Sequence, residues 1–331
     1  MIKHIKKWIT VSIISTVLLS GWFVYYAIYP LKLRPSSQEV VIQPKSGLKS
    51  IANQLVAQGV LKEPWRFIFL AKLLHKEQYL QAGSYTLNKN ISPYQLLLSL
   101  NHGKTTQGSI TFIEGRTFEQ MRQKLAVNDA VKQTIAGLPE AEILKLISSP
   151  YSAAEGLFFP DTFYFDRNTT DIELLKTSYN AMQSKLEKAW QGRAPDLPYK
   201  NSYQALVMAS IIEKETGKAS ERPMIAGVFV NRLRLGMRLQ TDPTVIYGMG
   251  MRFDGNIRKK DLSIDTPYNT YTRSGLPPTP IAMPGLAAIE AALHPANTKA
   301  LYFVGKGDGS HAFSSNLDEH NRAVVKYQLK K

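Results

Sequence analysis

The chain has 331 residues, of which 44% are hydrophobic and 20% are charged; this balance is typical of a globular protein and excludes a disordered chain. It has no cysteine, which excludes structural disulfides, thiolate catalysis and cysteine-ligated zinc. The net charge of +15 suits anionic lipid or a charged cell-wall polymer. Because the basic residues are spread along the chain, we expect a solvated basic surface and no nucleic-acid partner.

An uncharged apolar segment follows a basic N-terminus. As a helix, residues 8–29 would extend roughly 33 Å, close to the bilayer core of about 30 Å. Lys3, Lys6 and Lys7 precede it, so the positive-inside rule keeps residues 1–7 in the cytoplasm and the remainder outside. A cleaved signal peptide is the alternative, but no Ala-x-Ala site follows. The sequence therefore predicts a single-pass helix at 8–29 in the cytoplasmic membrane.

A small α+β domain is predicted after this segment. Pro and Ser residues mark 30–39 as a linker. Within 40–108, hydrophobic periodicity predicts short strands and helices in alternation, with strands at 40–42 and 83–87 and helices at 49–58, 64–74 and 93–100. This region has no titratable cluster, so we expect a binding module.

The larger domain is predicted at 109–331, also with an α+β fold. A strand at 109–113 is followed by helices at 117–126, 139–148, 171–190, 202–215 and 219–235. Between the second and third of these helices lies an aromatic loop that carries two carboxylates, Glu155 and Asp161. From Gln240 onward the many prolines predict a loop-rich region.

Several catalytic motifs are absent from the sequence. It has no Gly-x-Ser-x-Gly elbow, no phosphate-binding loop and no dinucleotide fingerprint. His-Glu-x-x-His does not occur, and the six histidines are scattered. We therefore expect neither a metal nor a cofactor.

Two carboxylates end the helix predicted at 202–215. Because positions three and four residues apart share a helix face, Glu215 continues the apolar stripe of Ile211 and Ile212. Glu213 falls on a different face. Apolar surroundings raise the pKa of a carboxyl group, and cleavage of a glycosidic bond needs such an acid to protonate the leaving oxygen. A pair of solvated glutamates at a helix end is the alternative.

Polar and aromatic side chains cluster in the last part of the chain. One group lies in a Pro-bounded turn predicted at 240–248, and the other lies at 268–271. Their members suit a sugar groove, in which rings stack and side chains bond hydroxyls: Gln240, Thr241, Asp242, Tyr268, Asn269 and Tyr271. Ordinary loop packing is the alternative for each group.

Together these residues resemble the YceG-like family of endolytic murein transglycosylases. The resemblance covers the apolar segment, the small domain and the larger domain, with 126–150 the least similar part. Its strongest stretches run from Glu155 to Thr162, Ala209 to Thr216, Asn231 to Val245, Tyr268 to Tyr271, Gly275 to Pro278 and Ala292 to Pro295.

The resemblance implies a LysM-like domain at 40–108 and a catalytic domain at 109–331. It implies lytic cleavage between N-acetylmuramic acid and N-acetylglucosamine within nascent strands, which ends strand elongation. Glu215 is the implied acid, and the muramic acid C6 hydroxyl then closes onto C1 to leave a 1,6-anhydro end. The implied substrate-binding residues are Glu155, Asp161, Gln240, Thr241, Asp242, Tyr268, Asn269 and Tyr271. Glycan strands, the membrane and penicillin-binding synthases are the expected partners.

Two other functions remain open from the sequence. A hydrolytic muramidase on the same scaffold would need a second carboxylate to hold water or act as nucleophile, and Asp242 and Glu155 are the candidates. A wall-binding scaffold protein without catalytic activity is the other. The products distinguish the hydrolytic muramidase from a lytic enzyme, since hydrolysis leaves reducing ends and lytic cleavage leaves anhydro ends.

Overall fold

The structure is a computed structural model that describes residues 2–31, 33, 37–78, 80–88, 90–103, 107–167 and 169–329. The chain divides into two compact units. Unit 1 comprises Met1–Gly108 and Tyr164–Asn168, and unit 2 comprises Ser109–Phe163 and Thr169–Lys331. Helices and small two-stranded sheets occur throughout, so the predicted α+β class is confirmed.

Unit 1 is built on one antiparallel strand pair. Its elements are α1 (Ile2–Ile28), β1 (Ser37–Ile42), α2 (Leu48–Ala57), α3 (Pro64–Leu73), β2 (Gly83–Asn88) and α4 (Pro93–His102). Strand β1 pairs with β2, with Val40 opposite Tyr85, and both side chains enter the core that α2, α3 and α4 cover. Ser92 and Gln95 cap α4 reciprocally. The likeness of this unit to a LysM domain stays a prediction.

The segment predicted to cross the membrane is helical and forms most of α1. The side chains at 9–14, which are part of that segment, lie outside the described residues. A membrane span needs about 20 consecutive apolar residues. Within the part of the chain that the structure describes, no helix is both long and apolar enough, so the span predicted at 8–29 is not found. Residues 32 and 34–36 of the predicted linker also lie outside the description.

The remaining helices and strands begin at residue 107. They are β3 (Gln107–Thr111), α5 (Phe118–Ala126), α6 (Glu140–Leu146), β4 (Thr162–Asp166), α7 (Asp171–Gln191), α8 (Ser202–Glu215), α9 (Arg222–Arg234), α10 (Asp242–Met249), α11 (Leu286–Leu293), β5 (Tyr302–Gly305), β6 (His311–Ser314) and α12 (Leu317–Val324). Short 3₁₀ turns lie at Ala219–Glu221, Gly250–Arg252 and Asp261–Ser263, and a π-helical segment lies at Val325–Leu329.

Helix α8 lies at the centre of unit 2. Every residue from 205 to 212 is buried, and α7, α9, α10 and α11 all pack against this helix. Asn201 caps its N-terminus by accepting the amide of Gln204. An apolar stretch buried on all sides has few alternative packings, so α8 holds its last residue, Glu215, in a defined place.

The region after Gln240 is more regular than its prolines suggested. The predicted Pro-bounded turn at 240–248 is wrong, because residues 242–249 form α10. Pro243 lies in the first turn of α10, where the missing amide hydrogen costs no helical hydrogen bond. The helix predicted at 219–235 is instead a 3₁₀ turn at Ala219–Glu221 followed by α9. Pro223 lies in the first turn of α9, a position that proline favours. Strand β4, helices α11 and α12 and the β5–β6 hairpin were not predicted.

Candidate active site

The two carboxylates at the end of α8 have different partners. Glu213 forms an ion pair with Arg222 at 3.0 Å, and its other carboxylate oxygen accepts the amide of Gly285 at 3.0 Å. Burial raises the pKa of Glu213, while the Gly285 amide and the Arg222 charge oppose this rise. With both oxygens engaged, Glu213 links α8 to the start of α9 and to the segment before α11.

Glu215 has a single hydrogen-bond donor in the described part of the chain. Its Oε1 accepts the hydroxyl of Thr241, and no protein donor reaches Oε2. Burial raises the pKa of Glu215 to about 7; the Thr241 hydroxyl opposes the rise and the charge of Asp242 adds to it. With this pKa, about half of the Glu215 side chains are protonated at neutral pH. Because the residue is partly exposed, a ligand can reach the oxygen that Thr241 does not occupy.

A backbone bend presents Thr241 to Glu215. Gln240 has a φ of 49°, in the left-handed region, and its amide donates to the carbonyl of Thr270 at 3.2 Å. The amide of Thr241 donates to the hydroxyl of Thr270 at 3.1 Å, and Thr244 contacts that hydroxyl at 2.8 Å. These bonds join the start of α10 to the 268–271 segment, so the two polar groups predicted from the sequence meet beside Glu215. The side chain of Gln240 itself is exposed.

The 268–271 segment contributes Tyr271 and Asn269 in different ways. Tyr271 donates its hydroxyl to Oδ1 of Asp242 at 2.6 Å, and the charge of Glu215 is among the causes that raise the pKa of Tyr271, after burial and Asp242. Asn269 is fully buried, and its amide donates to the carbonyls of Leu262 at 3.0 Å and Ile264 at 2.7 Å. Asn269 therefore holds the loop in shape; a direct sugar contact by its side chain stays a prediction.

Glu155 and Tyr268 belong to a neighbouring network. Glu155 is buried, and it accepts the amide of Phe118 at 3.1 Å and the hydroxyl of Tyr247 at 3.1 Å. Burial raises the pKa of Glu155 to about 7, although both hydrogen bonds oppose this. Tyr247 packs edge-on against Tyr268 at 4.8 Å between ring centroids. Gly156 has a φ of 77° and lies so close to Pro280 that a side chain there would clash, so the position next to Glu155 requires glycine.

Asp161 is placed apart from this network. It is exposed and accepts the amide of Thr162 at 2.8 Å, at the start of β4. Among the residues that the structure describes, no contact joins it to Glu215, so its predicted role in binding sugar stays a prediction.

Two basic residues that act on Glu215, Arg232 and His311, are not among the predicted site residues. Arg232 is buried and donates to the carbonyls of Leu301 at 2.6 Å and Leu239 at 2.7 Å. It thereby fixes the segment that leads to Thr241. His311 contacts Glu221 at 2.7 Å, and both His311 and Arg232 act on the charge of Glu215. Arg232 lies within one of the stretches that resemble the family. A charged residue among the apolar residues of a predicted helix was the signal that could have marked it as a site residue.

Within the described residues, no group of three or more His, Cys, Asp or Glu side chains is arranged to hold a metal ion. The site is therefore a partly exposed carboxyl group of raised pKa, flanked by hydroxyls, a second carboxylate and two basic side chains. Such a site can donate a proton to an oxygen atom that enters from the open side, and it can take a proton back.

Comparison with known proteins identifies relatives across most of the chain. A model of the YceG-like family matches residues 40–326. The chain is 34% identical over 300 residues to an endolytic murein transglycosylase of Bacillus subtilis, covering 85% of this chain and 82% of that protein. An enzyme of the same name from Streptococcus pneumoniae is 29% identical, covering 98% of this chain and 66% of that protein. A crystal structure of a yceG-like protein from Listeria monocytogenes matches with a TM-score of 0.53 and 30% identity, covering 87% of this chain and 99% of that chain.

Proposed function

Because this chain belongs to the YceG-like family, we propose that it is a lytic transglycosylase that cleaves peptidoglycan strands internally, between N-acetylmuramic acid and N-acetylglucosamine. The observation that carries the proposal is Glu215. A carboxyl group of ordinary pKa near 4.5 would be protonated in about 1 molecule in 300 at pH 7, whereas a pKa of about 7 makes that fraction about half.

Glu215 acts first as an acid. Thr241 occupies Oε1, so the transferable proton resides on Oε2, which no protein donor occupies in the described part of the chain. Transfer of this proton to the glycosidic oxygen allows the bond to C1 of the muramic acid to break. The negative charge of the resulting carboxylate then stabilises the positive charge that develops on the sugar ring.

The second step closes the muramic acid ring. The C6 hydroxyl attacks C1 while Glu215 takes the hydroxyl proton, so the carboxyl group ends the cycle protonated as it began. Attack by a group on the same sugar has a high effective molarity and needs no positioned water. The products are a 1,6-anhydromuramic end and a free N-acetylglucosamine end.

This reaction within a growing strand would end its elongation. We expect nascent glycan strands as the substrate and penicillin-binding synthases as the protein partners. Peptidoglycan lies outside the cytoplasm, so we propose that unit 2 acts there, facing the membrane at which strands are made. Unit 1, as a LysM-like module, would bind the same polymer. A reporter enzyme that is active only outside the cytoplasm, fused after Lys331, tests the location.

A matched pair of variants tests the catalytic proposal. Glu215→Gln keeps the shape of the side chain but cannot donate a proton, so we expect release of anhydro ends to fall about 10²- to 10⁴-fold. Glu213→Gln removes a negative charge from the same helix end, where the described contacts of the carboxylate are the structural ones with Arg222 and the Gly285 amide. We expect it to lower the melting temperature while most activity remains. An active Glu215→Gln protein together with an inactive, folded Glu213→Gln protein would reverse the assignment.

The position of Asp242 supports hydrolysis as a second candidate reaction. It is exposed and its charge acts on Glu215, and among the described residues the one hydrogen bond to its carboxylate is that from Tyr271 to Oδ1. A free carboxylate oxygen beside the acid is what an enzyme needs to activate water. Digestion in ¹⁸O-labelled water separates the two reactions by mass spectrometry. We expect unlabelled anhydro ends, and labelled reducing ends as the main product would establish hydrolysis.

A further inference from the structure

Helix α3 of unit 1 is apolar on two opposite sides. The side that faces the core of the unit carries three buried residues, which are Phe67, Leu70 and Ala71. On the other side, Trp65, Phe69 and Leu73 follow one another at intervals of four residues and form one row along the helix. Their exposed fractions are 51%, 52% and 57%. The outer side of a helix in a globular unit is usually polar, so this row indicates contact with an apolar partner.

The C-terminal part of α1 extends this row. Trp22 stacks on Trp65 with 6.3 Å between ring centroids, and Phe23 packs edge-on against Phe69 at 4.8 Å. The exposed side chains of the two helices here form what we call the apolar patch: Trp22, Tyr25, Tyr29, Trp65, Phe69 and Leu73. Trp and Tyr combine an apolar ring with a polar tip, a composition typical of the boundary between lipid tails and headgroups.

Positive charge borders the apolar patch. The guanidinium carbon of Arg66 lies 4.7 Å from the ring centroid of Trp22, and Lys62 and Lys72 are exposed. Glu63 lies among these cations and forms an ion pair with Arg66 at 3.2 Å. Three positive charges against the one of Glu63 leave this border positive, which complements an anionic surface.

A cavity of about 360 Å³ lies between α1 and the start of α3. The rings of Trp22 and Tyr26 line it together with Lys62 and Arg66. The hydroxyl of Tyr26 is buried and has no hydrogen-bond partner among the described residues. A hydroxyl donor and two cations suit the phosphate group of a lipid, and the rings beside them suit the upper part of its acyl chains.

We propose that the apolar patch of unit 1 binds a bilayer that contains anionic phospholipid, with α3 in the interface between headgroups and acyl chains. The row of α3 would enter the acyl boundary, while Lys62, Arg66 and Lys72 would contact lipid phosphates. This binding is separate from the proposed reaction and does not depend on it.

The surroundings of the patch favour lipid over sugar as the occupant. Aromatic rings alone would also suit a saccharide. However, the patch ends in the aliphatic Leu73, and along α1 it continues into further aliphatic side chains that are more than half exposed: Val17, Leu18, Leu19, Val24 and Ile28. Aliphatic side chains match lipid tails and offer a sugar neither a ring to stack on nor a hydrogen bond.

Single-cysteine variants of the full chain test the proposal, because the chain has no cysteine of its own. Helices α3 and α6 end in the same dipeptide, Lys72-Leu73 and Lys145-Leu146, and the two leucines are 57% and 53% exposed. Leu73→Cys and Leu146→Cys are therefore a matched pair. Each is labelled with a nitrobenzoxadiazole dye and mixed with vesicles of phosphatidylglycerol and phosphatidylcholine. Quenching by nitroxide lipid reports contact with the bilayer, and quenching by iodide reports contact with water.

We expect nitroxide lipid to quench the label of Leu73→Cys, at a depth of about 5–10 Å, and to leave that of Leu146→Cys almost unchanged. Adding Lys72→Gln to Leu73→Cys should lower the ratio of lipid-bound to free label about fivefold, whereas adding Lys145→Gln should not change it. Vesicles of phosphatidylcholine alone should also lower this ratio. Should Leu73→Cys fail to fold, Phe69→Cys carries the label on the same row.

Equal quenching by nitroxide lipid in the α3 and α6 variants would overturn the proposal. A label on α3 that stays open to iodide in the presence of vesicles would overturn it as well. Undiminished binding to phosphatidylcholine alone would refute the role of anionic headgroups. Protection of the α3 label from iodide by N-acetylglucosamine oligomers without vesicles would assign the patch to sugar, contrary to the proposal.

Discussion

Replacement of Thr241 by Val should shift the pH dependence of the reaction. The hydroxyl donates to Oε1 of Glu215 and is buried, so no water can replace it without rearrangement. A donor stabilises the carboxylate more than the acid, and its loss therefore raises the pKa of Glu215 above its value of about 7. Activity that depends on the protonated acid should then persist to higher pH.

The size of the shift follows from the strength of the bond. A hydrogen bond to a charged group contributes about 1.5–3 kcal/mol, against about 1 kcal/mol for a neutral one. The difference between the two protonation states is then about 1.4 kcal/mol, which corresponds to about one pH unit. Loss of the bond also frees the carboxyl group to rotate, so we expect the rate at low pH to fall about tenfold.

The assay is kcat/KM for the release of anhydro ends from purified glycan strands, measured across about pH 5–9. Thr241→Ser is the matched control, because it keeps the hydroxyl and loses only a methyl group. Its alkaline limb should stay within a few tenths of a pH unit of that of the unchanged protein. If the limb of Thr241→Val does not move, or if both variants move it equally, the hydroxyl does not set the protonation of Glu215.

Two further predictions concern the second carboxyl group and metal ions. Burial raises the pKa of Glu155 to about 7, so its contribution to stability is fully present below about pH 4.5 and is lost as the pH rises through 7. Glu155→Gln should therefore reduce the fall in unfolding free energy between pH 5 and 8 by up to about 3 kcal/mol, as measured by denaturant titration. The same variant should keep the alkaline limb of the pH–activity curve. Loss of this limb would assign it to Glu155. Because the proposed reaction needs only proton transfer, EDTA should not reduce the rate of strand cleavage, and activity lost in EDTA and restored by a divalent ion would contradict the mechanism.

Local sequence signals located the helices of unit 2 up to α9, with the bounds of α9 too long at its start, but they missed β4. Helix α8 begins and ends at the predicted residues, since its apolar periodicity and the capping Asn201 act within a few positions along the chain. The same periodicity separated Glu215 from Glu213, because the two fall on different faces of any helix. Where prolines were dense the prediction failed, since Pro243 begins a helix as readily as it ends one.

By itself the sequence determined that a carboxylate would end a buried helix, because a helix face is set by spacing along the chain. Only the tertiary structure decided what each carboxylate meets. Arg222 neutralises Glu213, whereas Thr241, which lies far along the chain from Glu215, donates to one oxygen of that acid; no donor to the other oxygen lies among the described residues. These contacts depend on how α8, α9 and α10 pack, and no pattern within one helix specifies the chemistry of its neighbours.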